Sequence, residues 1–263
     1  MAGFGFSEAQ EMLRREVRNF AQKEIVPGAK ERAKLEEVPR DLLKKIGDVG
    51  FLGVNLPEKY GGGDADWVSL GIAMEELCKV EFILSFFLIL PVMTNLALIQ
   101  STEEVRQEWL PPVIRGEKVS CIAVSEPDCG SDAAAMKMRA VRDGDFYIHN
   151  GEKTSLSLGT YADVVVLFAK TDPSKGAKGV SCFLVPLDLP GITISHFTDM
   201  GLKSIGRASL IMDDVRVPAK YRVGEEGQGF YIALEHFDFM RIGLGLAAMA
   251  IAETSLAEAM VYA

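Results

Sequence analysis

The sequence predicts an α+β protein with an N-terminal α-helical domain, a central antiparallel β-barrel or sandwich, and the start of a C-terminal helical bundle. Three observations predict this fold class. Apolar residues recur at helical spacing at first, short strand-like runs separated by Gly-containing turns follow, and helical spacing returns past Gly229. The predicted boundaries are 1–117, 118–222 and 223–263. The 263 residues, 48% of them hydrophobic, supply ample side chains for a core.

The N-terminal domain begins with a capping-box pattern, in which Ser7 is followed three residues later by Gln10. The helix that follows should end at Pro27. An almost wholly apolar run at 82–99 is about long enough to cross a membrane. Because Pro91 interrupts it and no basic flank follows, we expect two buried helical segments, broken near Pro91, and no membrane span.

The central domain is predicted from Val-, Ile-, Phe- and Thr-rich runs between Asp-Gly, Asn-Gly, Lys-Gly and Pro-Gly turns. We expect strands near 119–125, 138–142, 145–149, 163–170, 180–186, 192–197 and 209–217. Pro218 should end the last strand. The final residues, 258–263, carry no Gly, Asn or Pro stop signal, so we expect a C-terminally truncated fragment rather than a naturally short form.

Composition argues against several functional classes. The formal net charge is −9 and no Lys/Arg cluster is present, so we expect no nucleic-acid partner. The cysteines show no CxxC pairing, which predicts buried free thiols and a cytoplasmic location. The three histidines are scattered along the chain, so we expect no metal site.

One polar turn stands out. The apolar run 120–124 leads into Ser-Glu-Pro-Asp-Cys-Gly-Ser-Asp at 125–132, where Pro127 fixes φ and Gly130 permits a positive φ. Such a turn can direct backbone N–H groups and the hydroxyls of Ser125 and Ser131 at one ligand. An ordinary exit from a strand has the same composition, so the turn alone leaves both interpretations open.

Further motifs follow this turn in a characteristic order. They lie at 144–153, 162–171, 200–201, 214–218, 224–230 and 238–241. In this order and spacing the series resembles the acyl-CoA dehydrogenase family of flavoenzymes, from about residue 6 to residue 263. The resemblance implies an FAD cofactor, an acyl-CoA substrate, an electron-transfer flavoprotein as partner and a homotetramer.

The resemblance also implies two cofactor-binding segments. The hydroxyl of Ser125 is expected to face the pyrimidine side of the flavin ring, and that of Ser157 its reactive edge. The family usually has Trp where this sequence has Ser155, so an aromatic wall is lost and the pocket should be more open or filled from elsewhere. The implied cofactor-binding residues are Ile122, Val124, Ser125, Gly130, Ser131, Ser155, Leu156 and Ser157.

Substrate contacts are implied mainly by an Asp-x-x-Arg pattern. Asp238 and Arg241 lie on one helix face, where the family contacts the CoA moiety; a surface ion pair is the alternative. Ser131 and Phe237 complete the implied substrate-binding set. The run at 85–88, in the helix expected to line the acyl pocket, favours a compact or alicyclic acyl group, although plain core packing is equally consistent.

No catalytic base can be assigned in this chain. Most family members carry a carboxylate in the C-terminal bundle, which would lie beyond Ala263. A minority place it at the position of Met240, which cannot take a proton. We therefore expect this chain alone to be inactive and to bind flavin poorly.

The predicted function is FAD-dependent α,β-dehydrogenation of an acyl-CoA thioester, with electrons passed to electron-transfer flavoprotein. One alternative keeps the fold but uses oxygen, as in an acyl-CoA oxidase. Another is a non-catalytic scaffold that binds acyl-CoA or a partner, which the loss of the aromatic residue at Ser155 favours.

Overall fold

The computed structural model describes residues 5–263, apart from the side chain of His236. The first four residues of the predicted N-terminal domain lie outside the described residues. The helices before the sheet are α1 (Glu8–Phe20), α2 (Ala29–Arg32), α3 (Arg40–Asp48), α4 (Trp67–Cys78), α5 (Leu84–Leu98) and α6 (Glu103–Ile114). The strands are β1 (Ser120–Ala123), β2 (Arg139–Asp143), β3 (Phe146–Leu156), β4 (Val164–Lys170), β5 (Val180–Pro186), β6 (Ile192–His196), β7 (Ala208–Pro218) and β8 (Arg222–Val223), and α7 (Gly229–Tyr262) follows them.

The capping box at the start of α1 is confirmed. The backbone N–H of Gln10 donates to Ser7 Oγ at 3.2 Å, and the N–H of Ser7 donates to Gln10 Oε1 at 2.9 Å. Two otherwise unpaired donors of the first turn are thereby satisfied. The helix continues as a π-helical turn over Ala21–Ile25 and ends before Pro27, as predicted.

The apolar run at 82–99 forms α5, which is buried along most of its length. The predicted break near Pro91 is wrong, because the helices are interrupted at 79–83 and Pro91 lies inside α5. A proline inside a helix costs about 3 kcal/mol. Each fully buried Leu or Val contributes about 1.5–3 kcal/mol. Because Leu88, Val92 and many of their neighbours are buried, packing outweighs the effect of the proline.

The predicted order of a helical domain, a β domain and a C-terminal helix is confirmed. The central sheet is mixed and open, however, rather than an antiparallel barrel or sandwich. Its order is β6-β7-β3-β2-β4-β5-β8, and β1 pairs with β4 off this path. Most neighbours are antiparallel, but β4 runs parallel to β1 and, at one residue pair, to β2. The chain leaves β1 through the loop at 124–138 instead of turning back in a hairpin. The segment after β1 carries the polar turn, and an isolated β-bridge joins Glu126 to Cys129 within it.

Strand β3 is longer than predicted and irregular. The expected strand at 145–149 continues to Leu156, and its pairing with β7 shifts register between His149 and Gly151 and again between Lys153 and Leu156. A β-bulge bends its strand and redirects side chains. The second irregularity lies where β3 reaches the predicted cofactor-binding serines.

The long helix α7 packs against α4, α5 and β5. Its inward face buries Ile232, Ala247 and Ala250, whereas Ile242 and Met249 are exposed. By length and composition alone, α7 is also long and apolar enough to cross a membrane, with 11% of its most apolar stretch buried. Helices in protein cores satisfy the same two criteria, so this is weak evidence, and the expected lack of a span stays a prediction.

The four cysteines are free and buried, as predicted. Burial raises the pKa of the Cys78 thiol to about 12 and also raises the pKa values of Cys121 and Cys182, which keeps these thiols protonated and unreactive. Among residues 5–263, no group of three His, Cys, Asp or Glu residues could hold a metal ion.

Candidate functional site

A cleft of about 220 Å³ lies between the sheet and helices α5 and α7. One side is formed by β1, the chain that follows it and the end of β3, and we call it the polar floor. The opposite side consists of apolar side chains from the two helices, and we call it the helical wall. The polar floor comprises Ile122, Val124, Ser125, Gly130, Thr154, Ser155 and Ser157; the helical wall comprises Phe86, Ile89, Leu90, Phe237, Met240 and Leu244.

The first segment of the floor is a closed turn. The backbone N–H of Glu126 donates to the carbonyl of Cys129 at 2.9 Å, and the reverse bond is 3.1 Å long. The buried carboxylate of Glu126 also accepts the N–H groups of Lys137 at 2.6 Å and Met138 at 3.0 Å. These bonds join the start and the end of the loop, so the polar turn has a defined shape.

Lys153 of β3 ties the second segment to the first. Its side chain is fully buried, and its Nζ donates to the carbonyl of Val124 at 2.8 Å and to Glu126 Oε1 at 2.9 Å. Burial lowers the pKa of the Lys153 amine, and the adjacent Glu126 carboxylate opposes that change. The next residue, Thr154, donates its N–H to the carbonyl of Ser125 at 2.9 Å. A buried ion pair and a backbone bond therefore hold the two serine-bearing segments together.

The second segment bends sharply around Ser157. Ser155 and Leu158, on either side of it, have φ values of 60° and 62°. A left-handed conformation is uncommon for non-glycine residues and costs about 1–3 kcal/mol each, and such strain concentrates at ligand sites. The bend is anchored where the N–H of Leu158 donates to the carbonyl of Ile205 at 2.7 Å. Arg207 Nη1 donates to Ser155 Oγ at 3.3 Å.

The helical wall is apolar, and none of its described residues is a carboxylate. Of the run at 85–88, Phe86 alone lines the cleft. Ser85 donates its hydroxyl to the carbonyl of Phe82 at 2.7 Å, and Phe87 stacks on Tyr161 at 6.0 Å between ring centroids. Core packing therefore accounts for Ser85 and Phe87, whereas Phe86 faces the space available to a ligand.

Most of the predicted cofactor-binding residues come together here. Ile122, Val124, Ser125, Gly130, Ser155 and Ser157 all line the cleft, and so does the predicted substrate residue Phe237. Leu156 is buried elsewhere, and Ser131 is exposed beside the cleft. Neither residue lines the cleft, so their binding roles stay predictions.

The Asp-x-x-Arg pair also lies outside the cleft lining. Arg241 Nη1 donates to Asp238 Oδ1 at 3.4 Å, and both side chains are largely exposed. Asp238 borders a neighbouring groove that Trp67 also lines. Arg241 lies over the Phe237 ring, 5.9 Å from its centroid. This arrangement does not test the predicted contact of Asp238 and Arg241 with CoA, which stays a prediction.

Gly130 does not use the positive φ that glycine permits. A Cβ built there would meet no heavy atom within 4 Å. Backbone conformation and crowding within the chain therefore do not require glycine at this position. Because Gly130 lines the cleft, the open space beside it is available to a ligand.

Several site residues were missed from the sequence. Thr154 lines the floor, and the predicted strand ended too early to place it. The pairing of Lys153 with Glu126 joins residues 27 apart in sequence, and that of Arg207 with Ser155 joins residues 52 apart. Buried lysines are rare without a partner, so no sequence pattern signalled the first pair.

The cleft fits part of a large ligand. Its volume is below the roughly 300–1,000 Å³ typical of pockets that enclose a drug-sized molecule. Hydroxyl donors lie on one side and apolar side chains on the other, which suits a planar ring with hydrogen-bond acceptors along its edge. The residues present therefore fit an isoalloxazine ring, and a cleft of this volume would hold only part of a dinucleotide.

Comparison with known proteins shows what this chain is similar to. The family model for the acyl-CoA dehydrogenase N-terminal domain matches residues 7–117, and the model for the acyl-CoA dehydrogenase middle domain matches residues 121–215. The chain is 37% identical to the caffeyl-CoA reductase–Etf complex subunit CarC of Acetobacterium woodii, over 98% of this chain and 69% of that protein.

Two further comparisons agree. The chain is 36% identical to the short-chain specific acyl-CoA dehydrogenase of Clostridium acetobutylicum, over 98% of this chain and 69% of that protein. A solved chain described under the electron transferring flavoprotein of Acidaminococcus fermentans superposes with a TM-score of 0.94 at 38% identity, over 99% of this chain and 69% of that one.

Proposed function

The chain belongs to the acyl-CoA dehydrogenase family, and we propose that it catalyses the α,β-dehydrogenation of an acyl-CoA thioester. Members of this family are FAD-dependent flavoproteins and oxidoreductases that act on CH–CH donors. In the proposed reaction the α carbon loses a proton and the β carbon loses a hydride, which bound FAD would accept. The main support is the convergence of Ser125 and Ser157 on one cleft.

In the proposed reaction the two sides of the cleft have different roles. The polar floor offers the hydroxyls of Ser125 and Ser157 as donors to the flavin edge. The helical wall, with Phe86 and Phe237, packs around the acyl group and excludes water. A low local dielectric strengthens every electrostatic interaction made within the cleft.

Proton removal needs a carboxylate that the described lining does not contain. Met240, the position at which a minority of the resembled family carries its base, lines the helical wall and cannot take a proton. We therefore assign no base to this chain and expect the chain alone to be inactive or to turn over very slowly.

For the acyl group we propose a compact or alicyclic acid. Phe86 and Phe237 line the helical side of the cleft with bulky side chains, and the cleft volume is only about 220 Å³. For the electron acceptor we propose an electron-transfer flavoprotein, because one relative is named as a subunit of a reductase–Etf complex. A homotetramer and a cytoplasmic location complete the proposal and rest on the resemblance and the composition.

The direct test is reconstitution followed by a substrate screen. Purified chain is titrated with FAD, and dye-coupled oxidation of cyclic, branched and straight-chain acyl-CoA esters is then compared. We expect weak but saturable FAD binding and a preference for compact acyl groups. A titration that shows no saturable FAD binding would overturn the proposed function, and oxidation of long straight chains alone would overturn the acyl class.

One observation favours a second candidate, an oxygen-using oxidase. Ser155 is a small, exposed member of the cleft lining, so oxygen would reach a bound ring there more easily than past an aromatic side chain. Reoxidation of the reduced holoprotein by air, compared with reoxidation by an electron-transfer flavoprotein, separates the two. Fast consumption of oxygen would favour the oxidase.

A further inference from the structure

The mouth of the cleft carries a positively charged side chain that the mechanism above does not use. Arg207 Nη1 reaches Ser155 Oγ at 3.3 Å, and Ser155 is an exposed member of the cleft lining. The guanidinium is thus one hydrogen bond away from the lining. A ligand that extends out of the cleft past Ser155 would meet this group.

Arg207 is held in a fixed position by two neighbours, Asp199 and Phe197. Its Nε donates to the two carboxylate oxygens of Asp199 at 3.1 and 3.0 Å. Its guanidinium lies over the Phe197 ring, 4.5 Å from the centroid. The N–H of Phe197 donates to the carbonyl of Arg207 at 2.9 Å, which extends the pairing of β6 with β7. The guanidinium plane is therefore positioned before any ligand arrives.

We propose that Arg207 forms the wall of the flavin site beside Ser155, taking the place of the aromatic side chain that the sequence lacks there. This inference rests on the proposed function. A guanidinium presents a flat face, which packs on aromatic rings, together with N–H donors at its edge. A planar heteroaromatic ring that leaves the cleft at Ser155 can use both. The positive charge also favours the electron-rich reduced ring over the oxidised one.

Strand β7 supplies a matched control. Arg216 Nη1 pairs with Asp143 Oδ2 at 2.9 Å, and its guanidinium lies over the Phe146 ring, 4.6 Å from the centroid. Arg207 and Arg216 therefore have the same kinds of partners and lie roughly 30 Å apart along the chain. Arg216 does not line the cleft. Its replacement should reproduce any effect on folding without affecting the ligand.

The experiment compares Arg207→Met, Arg207→Lys and Arg216→Met with the unmodified chain. Apoprotein unfolding is measured in urea, and FAD binding is measured by quenching of flavin fluorescence. We expect Arg207→Met to weaken FAD binding by roughly fivefold, about the upper end of what a cation–π contact supplies at an exposed site. Arg207→Lys should recover part of the loss, and Arg216→Met should bind like the unmodified chain.

A redox titration of the reconstituted proteins provides a second readout. Arg207→Met should lower the reduction potential of the bound flavin, by about 30 mV for each tenfold loss of preference for the two-electron reduced form. Arg207→Met that binds FAD as tightly as Arg216→Met, with an unchanged potential, would overturn the inference and leave the proposed function intact. An unmodified chain that binds no FAD would overturn both.

Discussion

The two sides of the cleft are built by different means. The polar floor is fixed by backbone hydrogen bonds and by the buried Lys153–Glu126 pair, which joins segments 27 residues apart. The helical wall is held by packing of apolar side chains from α5 and α7, of which Met240 and Leu244 are only partly buried. Hydrogen bonds and ion pairs require defined geometry, whereas apolar packing tolerates change. We infer that the floor sets cofactor geometry and that the wall can vary with substrate.

Breaking the ion pair should have the largest effect. Lys153→Met leaves the Glu126 carboxylate buried without its cation, which costs about 3–5 kcal/mol. Leu244→Ala in the wall should cost only about 1 kcal/mol, because Leu244 is partly exposed. Urea unfolding at pH 7 measures both.

The floor also offers a rescue. Adding Glu126→Gln to Lys153→Met removes the unpaired charge and should recover part of the lost stability. Recovery is incomplete because the amide nitrogen cannot accept one of the two backbone N–H groups that the carboxylate accepts. If Lys153→Met destabilises the protein no more than Leu244→Ala does, the two sides do not differ in the way described.

The wall can be tested by a gain of activity. Met240→Glu would place a carboxylate among the cleft-lining side chains of α7. General-base catalysis typically contributes about 10²–10⁴-fold, so we expect dye-coupled acyl-CoA oxidation to rise at least about tenfold. Met240→Gln has nearly the same shape but no base, so its rate should equal that of the unmodified chain. Equal rates for the Glu and Gln variants would contradict the position assigned to residue 240 in the cleft.

A third test contrasts a paired buried polar group with an unpaired one on β3. His149 is fully buried four residues before Lys153, and neither ring nitrogen has a hydrogen-bond partner among the described residues. Burial lowers the pKa of His149 to about 3. The unfolded chain therefore binds a proton that the folded chain does not, and stability falls as the pH drops below the unfolded pKa of about 6.5.

Replacing His149 should remove that dependence. Between pH 7 and pH 5 the group accounts for a loss of about 2 kcal/mol. His149→Leu should unfold at higher urea concentration at pH 5 and should flatten the stability profile between these pH values. A profile as steep as that of the unmodified chain would show that other groups carry the pH dependence.

The smallest effect on folding is expected at Gly130 in the floor. Because a Cβ there meets no atom within 4 Å, Gly130→Ala should change the free energy of unfolding by less than about 0.5 kcal/mol. The added methyl group enters space that a bound ring would use, so FAD binding should weaken. Unchanged affinity would place the ring elsewhere.

The sequence predicted local structure better than the contacts between distant segments. Strands β4 and β5 were placed within a residue of their observed ends, because continuous apolar runs bounded by turns define them. The parallel pairing of β1 with β4 was missed, because a run of apolar residues does not reveal the direction of its neighbours.

The same contrast between local patterns and distant contacts holds for the candidate site. The serines could be found, because they follow recognisable strand and turn patterns. The Lys153–Glu126 contact that joins their two segments could not be predicted, because Lys153 is a charged residue that sequence alone places at the surface. The prediction of a break near Pro91 was wrong for a related reason, since the burial that outweighs a helix-interior proline depends on tertiary packing.

The measurement that tests the central claim most directly is calorimetric titration of FAD into Ser125→Ala/Ser157→Ala. A control with two exposed residues of β6, Thr193→Ala/Ser195→Ala, changes hydroxyls outside the cleft. Each lost hydrogen bond is worth about 0.5–1.5 kcal/mol, so the dissociation constant of the floor variant should rise at least about fivefold while the control stays unchanged. Equal affinity in the two variants would contradict the conclusion that the two serine-bearing segments form the flavin site.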